Sequence, residues 1–352
     1  MPTPPFSDPL LFGLALSAAQ GVGLRAYYSK RAQFGTTEAA FLQTVPPEEQ
    51  PGLLAGARAT LTDAHARGVT VIGDEDDAYP SALRNLRDAP PHLFTLGDVS
   101  LFQRPAVAIV GTRAATQYGL RTTRALAMEL ARVGAAVVSG LARGIDAAAH
   151  EAALEVRGAT IAVMGTGVDV PYPKLNKGLH ARIAQQGLVV SEHPCGMQAY
   201  QGSFPRRNRI IAGLARAVIV SEAPTRSGAL ITAGIALDIG RDVGVVPGNI
   251  DSASSAGSNR LLRDGATPIL EAGDALSLGG LQASAPAQPR TPEGLSDDAQ
   301  LLWRALSASG PLSADALARA GGLEVRRAAP ALAALELAGW VEVDHAGVIF
   351  PR

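Results

Sequence analysis

Ala106-Val107-Ala108-Ile109-Val110-Gly111-Thr112-Arg113 and, one helix later, Ala136-Val137-Val138-Ser139-Gly140-Leu141-Ala142-Arg143-Gly144-Ile145-Asp146 decide how this chain reads. Each begins as a short unbroken apolar run, the pattern of a strand buried on both faces, and stops at a polar, glycine-rich turn. Further strand signals fall at 160–164, 188–191, 217–221 and 243–246, and helix signals at 121–132, 146–156 and 227–239. This alternation predicts an α/β fold, a doubly wound, mainly parallel sheet with helices on both faces. Ligands of such sheets bind at the carboxyl ends of the strands, where these turns lie.

The 352 residues suffice for two or three domains of about 150 each. Working outward from the core, taken as residues 66–276, the segment 1–65 reads as short helices at 10–19, 25–34 and 37–42. With its Gly21-Val22-Gly23 hairpin it resembles a sterile-alpha-motif or helix-hairpin-helix module. The hairpin could present N–H groups to a phosphate, but sparse surrounding charge favours a packing or dimer module. A strand signal at 69–72 precedes Asp74-Glu75-Asp76-Asp77, read as a solvated loop, since a metal site would need a partner cluster.

Residues 277–296 shift to Gly, Ala, Ser, Pro and Gln and read as a flexible linker. Beyond it, helix signals at 299–308, after Ser313 and at 326–338, then strands at 341–343 and 348–350 around a turn at 344–347, predict a winged helix. Its third helix opens with Arg326 and Arg327 but continues as an alanine and leucine face, which favours packing or protein contact over groove reading.

Composition, 47% apolar and 18% charged, is that of a globular protein. The net charge of −1 hides a division: residues 67–276 carry 21 basic against 19 acidic side chains, and 297–352 carry 5 against 7. Cys195 is the only cysteine, so no intrachain disulfide forms and no spaced Cys/His zinc pattern exists. The apolar stretch 9–22 is preceded by Asp8 and by no Lys or Arg, against a signal peptide. No stretch approaches the roughly 20 apolar residues of a membrane span, and the expected location is the cytoplasm.

Several turns could carry chemistry. Gly111-Thr112-Arg113 offers N–H groups and a guanidinium to a phosphate, while Thr116 stands where the last glycine of a dinucleotide fingerprint should fall. Ser139 to Arg143 leads to Asp146 and His150, four residues apart on one helix face; with no nucleophile nearby, a capping pair is favoured over an acid–base pair. Gly165 and Gly167 form a third glycine turn, and Ser227-Gly228 a small-residue helix start. Ser203-Phe204-Pro205-Arg206-Arg207-Asn208-Arg209 reads as a basic turn suited to stacking a base and gripping phosphates. Arginines oppose a helix N-terminus unless an anion neutralises them.

In this order, Gly111-Thr112-Arg113, Ser139 through His150, Tyr172-Pro173, Phe204 through Arg209, Ser227-Gly228 and Pro247-Gly248 resemble the DprA/Smf family over about residues 67–275. The flanking modules are similar to that family's by pattern only. The resemblance implies an extended Rossmann-like core that dimerises, binds single-stranded DNA without strong sequence preference and helps load the RecA recombinase in natural transformation. It implies no cofactor, no metal, no membrane and no catalysis. By position, Arg113 matches the family's first-turn basic residue, and Phe204, Arg207 and Asn208 its Phe-Pro-x-Arg-Asn motif. The DNA-binding set is then Gly111, Thr112, Arg113, Ser139, Gly140, Arg143, Gly165, Gly167, Phe204, Arg206, Arg207, Asn208, Arg209 and Ser227. Gln201 stands where relatives often carry a basic residue, leaving one phosphate contact missing or supplied by Arg206. The alternative is a nucleotide-binding or nucleotide-hydrolysing enzyme of a related Rossmann-like family, for which Glu192 and Glu222 are the available carboxylates.

Overall fold

The computed structural model describes residues 8–282, 294–309, 312–343 and 347–351. The chain divides into two compact units, residues 1–282 and 283–352. The first is built on nine strands: β1 (Thr70–Gly73), β2 (His92–Gly97), β3 (Ala106–Val110), β4 (Ala136–Ser139), β5 (Thr160–Val163), β6 (Leu188–Ser191), β7 (Ala217–Val220), β8 (Asp242–Val245) and β9 (Thr267–Pro268). They lie in the order β1-β2-β6-β5-β4-β3-β7-β8-β9. The ladders from β6 through to β9 are parallel, and β1 and β2 add an antiparallel edge.

Strands β3, β4, β5, β6 and β7 are buried at every position, as parallel strands covered on both faces must be. The chain runs from β3 outward to β4 on one side, then returns to place β7 on the other side of β3. The loops after β3 and β7 therefore diverge and leave a crevice at the sheet's rim.

The helices of this unit are α1 (Asp8–Ala18), α2 (Leu24–Phe34), α3 (Thr37–Thr44), α4 (Gln50–Ala66), α5 (Ser81–Arg84), α6 (Gln117–Arg132), α7 (Ile145–Glu155), α8 (Lys177–Gln186), α9 (Ser203–Leu214), α10 (Gly228–Asp238), α11 (Ala256–Arg263) and α12 (Ala272–Leu278). Three positions correct the sequence reading. Strand β2 and helices α4 and α8 carry no strong signal, since Pro90-Pro91 shadows β2 and Pro51, Gly52 and Gly56 interrupt α4. Residues 203–209 are the first turns of α9 rather than a turn. Helix α12 runs to Leu278, so the segment read as a linker begins inside a helix, while 283–293 lie outside the described residues.

Helices α1 to α4 do not stand apart from the sheet. Leu14, Leu16, Phe41 and Leu61 share one apolar cluster with Phe94 of β2, Met164 and Val189 of β6. The acidic run is not a solvated loop either: Asp74 pairs with Arg31 of α2 at 2.6 Å, Glu75 accepts from the Thr37 hydroxyl, and Asp76 accepts from Gly73 N at 2.6 Å. Phe41→Leu is expected to cost about 1 kcal/mol and to shift one cooperative transition spanning residues 8–282. A separate early transition for the N-terminal helices, followed by hydrogen exchange in denaturant, would contradict the shared core.

The second unit comprises α13 (Asp297–Ser309), β10 (Leu312–Ser313), α14 (Ala314–Ala320), α15 (Val325–Leu337), β11 (Val341–Val343) and β12 (Val348–Pro351). Ser313 caps α14 by accepting from Ala316 N, and β10-β12-β11 form the small antiparallel sheet. Leu302, Leu306, Leu317 and Leu335 fill its core, with Trp303 and Trp340 edge-to-face at 5.2 Å. The turn read at 344–347 lies largely outside the described residues.

Candidate nucleic-acid interface

At the rim of the first unit, the turns after β3, β4 and β7 meet the start of α9 around a cleft of about 380 Å³. Gly111, Thr112, Arg113, Phe204, Arg207, Asn208 and Ser227 all line it. The turn after β3 is fixed by two bonds: Thr112 N donates to Glu222 O at 2.7 Å, and Ile145 N to Thr112 O at 3.2 Å. Gly111 has no room for a side chain, because a Cβ there would lie 2.5 Å from Ile145 Cγ1. The fixed turn leaves Arg113 exposed, its guanidinium over the Phe204 ring at 5.8 Å.

Arg207 forms the charged floor. Only 5% exposed, it donates through Nη1 to Gly140 O at 2.7 Å and to Val163 O, and its Nε has no partner. Gly140 permits this approach: a Cβ there would lie 2.5 Å from Arg207 Nη2. Burial lowers the Arg207 pKa to about 10, partly offset by Asp146. Burial in turn raises the Asp146 carboxyl, with Arg207 and the N–H groups of Ala142 and Gly140 opposing the rise. A positive charge thus lies beneath the cleft with little water to screen it.

Helix α10 points its start at the same cleft. Ser227 caps it by accepting from Ala229 N at 3.3 Å, and Asn208 Nδ2 donates to Gly228 O at 3.3 Å. The macrodipole adds partial positive charge there. Arg226, exposed and in the lining, was not singled out from the sequence. The signal was present, since it stands in a polar turn after a buried strand just as Arg113 does.

The other candidates do not line this cleft. Arg209 makes a bidentate pair with Glu192 at 3.0 and 2.9 Å, both side chains about 5% exposed, and does not line the cleft. Arg206, half-exposed, reaches the same Glu192 at 3.1 Å. Ser139 Oγ donates to Ile109 O at 2.6 Å inside the sheet. Gly165 gives Phe204 its place, since a Cβ there would lie 2.9 Å from the ring, and Gly167 N donates to Met197 O at 2.9 Å. Arg143 is exposed but outside the lining. Phe204 also contacts the Tyr172 ring at 5.0 Å and 32°, so its ring is already shared by Arg113 and Tyr172.

Asp146 and His150 do not form an acid–base pair. Asp146 accepts from Gly140 N and Ala142 N, while His150 Nδ1 meets the Thr160 hydroxyl at 2.7 Å. Burial pushes the His150 imidazole down to about 3, leaving it neutral at ordinary pH. Among the described residues, no group of three or more His, Cys, Asp or Glu side chains could hold a metal.

A doubly wound, mostly parallel sheet with an arginine-lined rim cleft, on a chain that also carries a winged-helix unit, defines an extended Rossmann-like protein. The family model described as DNA recombination-mediator protein A matches residues 70–279, and the DprA winged helix domain matches 286–347. The chain belongs to the DNA recombination-mediator protein A (DprA/Smf) family. It is 47% identical over 226 residues to Protein Smf of Synechocystis, covering 63% of this chain and 57% of that relative. It is likewise 47% identical over 202 residues to DNA processing protein DprA of Streptococcus pneumoniae, covering 57% of this chain and 71% of the relative. The crystal structure of that pneumococcal protein superposes with a TM-score of 0.64 at 37% identity, over 77% of this chain and 98% of the other. DNA processing protein A from Helicobacter pylori, whose structure is described for its single-stranded DNA binding mode, superposes at 0.54 and 35% identity over 58% and 93%.

Proposed function

We propose that this chain binds single-stranded DNA at the rim cleft, protects incoming DNA and helps load a RecA-type recombinase during natural transformation. It acts as a homodimer through the core, in the cytoplasm, by binding rather than by catalysis. The observation that carries the reading is the convergence of exposed Arg113, buried Arg207 and the α10 start on one cleft. Such a cleft takes the phosphates of an unpaired strand, whose bases are free to leave the backbone. The Helicobacter relative's description as a single-stranded DNA binder supports the ligand class. No described helix is long and apolar enough to cross a membrane.

The enzyme alternative loses its carboxylates to internal partners. Glu192 is held by Arg209 and Arg206, Glu222 by Thr116, and neither lines the arginine cleft. The role in loading a recombinase and the dimer rest on family membership.

Fluorescence anisotropy with single- and double-stranded oligonucleotides across a salt series tests the proposal. If Arg113, Arg207 and Arg226, which line the cleft, each neutralise one phosphate, log affinity falls against log salt with a slope of about −2. Single strands bind more tightly than duplex. Equal binding of both forms, or affinity independent of salt, would reject the assignment, as would release of free base from nucleoside monophosphates.

A further inference from the structure

The rim holds a second cleft, of about 510 Å³, bordered by Thr116, Tyr118, Glu222, Pro247, Asn249 and Ser252. It lies beyond β3, β7 and β8, against the start of α6. Its volume suits a small ligand, yet its lining includes no arginine, lysine or histidine.

The chain itself occupies the anion position in this cleft. Glu222 is 2% exposed and makes no ion pair within 4 Å among the described residues. Its Oε2 accepts from Thr116 N at 2.8 Å and its Oε1 from the Thr116 hydroxyl at 2.9 Å. Thr116 is the N-cap of α6, and its hydroxyl in turn accepts from Gly119 N at 3.1 Å. Gly119 has no side chain where one would collide: a Cβ would stand 2.5 Å from Glu222 Oε2. The carboxylate therefore lies against the first turn of α6, where a ligand phosphate would otherwise meet free N–H groups.

We infer that Glu222 is a specificity-determining residue that denies phosphate to the second cleft. Its negative charge and its occupation of the α6 start turn free mononucleotides away, and phosphates enter the rim only through the arginine cleft. A polynucleotide, which engages several phosphates at once, is retained; a mononucleotide, offered a single cationic cleft and no neighbouring seat, is held weakly. This rests on the strand-binding reading of the arginine cleft, from which its test is separable.

The test is isothermal titration calorimetry with adenosine monophosphate in an Arg113→Ala background, which weakens the first cleft. Without further change, little heat is expected. Glu222→Ala empties the seat and is expected to tighten binding at least tenfold. Glu222→Gln keeps the seat filled but neutral, and gains less. Thermal melts establish that each variant is folded, and if Glu222→Ala does not fold, Glu222→Gln alone carries the test. Folded variants that bind no more tightly than the Arg113→Ala parent would overturn the inference. Strand binding by the unaltered chain, measured separately, tests the reading beneath it.

Discussion

Arg113→Ala weakens single-strand binding by about 10- to 100-fold, the equivalent of losing one charge-assisted contact of about 1.5–3 kcal/mol, while leaving the melting temperature nearly unchanged. The separation of effects follows from position: Arg113 is exposed on a turn held by backbone bonds, and its guanidinium lies over the Phe204 ring. The salt slope falls by about 0.7, as one phosphate contact is removed. Arg206→Ala serves as the comparison. Because Arg206 is drawn to Glu192 rather than to the cleft, the loss there stays below about threefold. Similar losses for both variants in anisotropy titrations would return the missing Gln201 contact to Arg206.

Arg207→Ala acts on the fold before it acts on binding. Its removal strips donors from the buried carbonyls of Gly140 and Val163, a loss of about 1–3 kcal/mol for each one left bare, and takes away the positive charge that opposes the rise of the Asp146 carboxyl. The Asp146 carboxyl already sits above its ordinary 3.8 because of burial, with Arg207 limiting the rise. The folded chain holds this proton more tightly than the unfolded chain, so its contribution is fully present below 3.8 and is lost as pH rises through the raised value. Without Arg207 the rise is larger. The variant's deficit therefore shrinks toward acid and widens toward neutral pH, measurable by urea denaturation at successive pH values. A pH-independent deficit would disconnect Asp146 from Arg207.

What the sequence revealed depended on how locally each feature is encoded. Strands β3 to β8 could be read because a parallel strand covered on both faces must be apolar throughout. Strand β2 escaped because it pairs antiparallel with both β1 and β6 and mixes His92 and Thr95 with Leu93 and Phe94. The start of α9 was misread for an instructive reason. Three arginines in the first two turns do oppose the macrodipole, but Glu192, 17 residues away from Arg209, and the carbonyls of Gly140 and Val163 offset the conflict. Those partners are remote in sequence, so no local pattern announces them. Arg113 and Ser227 could be found because turns after buried strands converge by topology. The commitment of Arg209 to the interior could not.

The continuity between α1–α4 and the sheet constrains what can be cut from this protein. A chain begun near residue 67 would present Phe94, Met164 and Val189 to water as a bare apolar wall, and would be expected to clump rather than behave as a minimal binding fragment. Residues 8–66 therefore complete the core behind the sheet, so their loss by proteolysis is expected to unsettle the rim cleft tens of residues downstream.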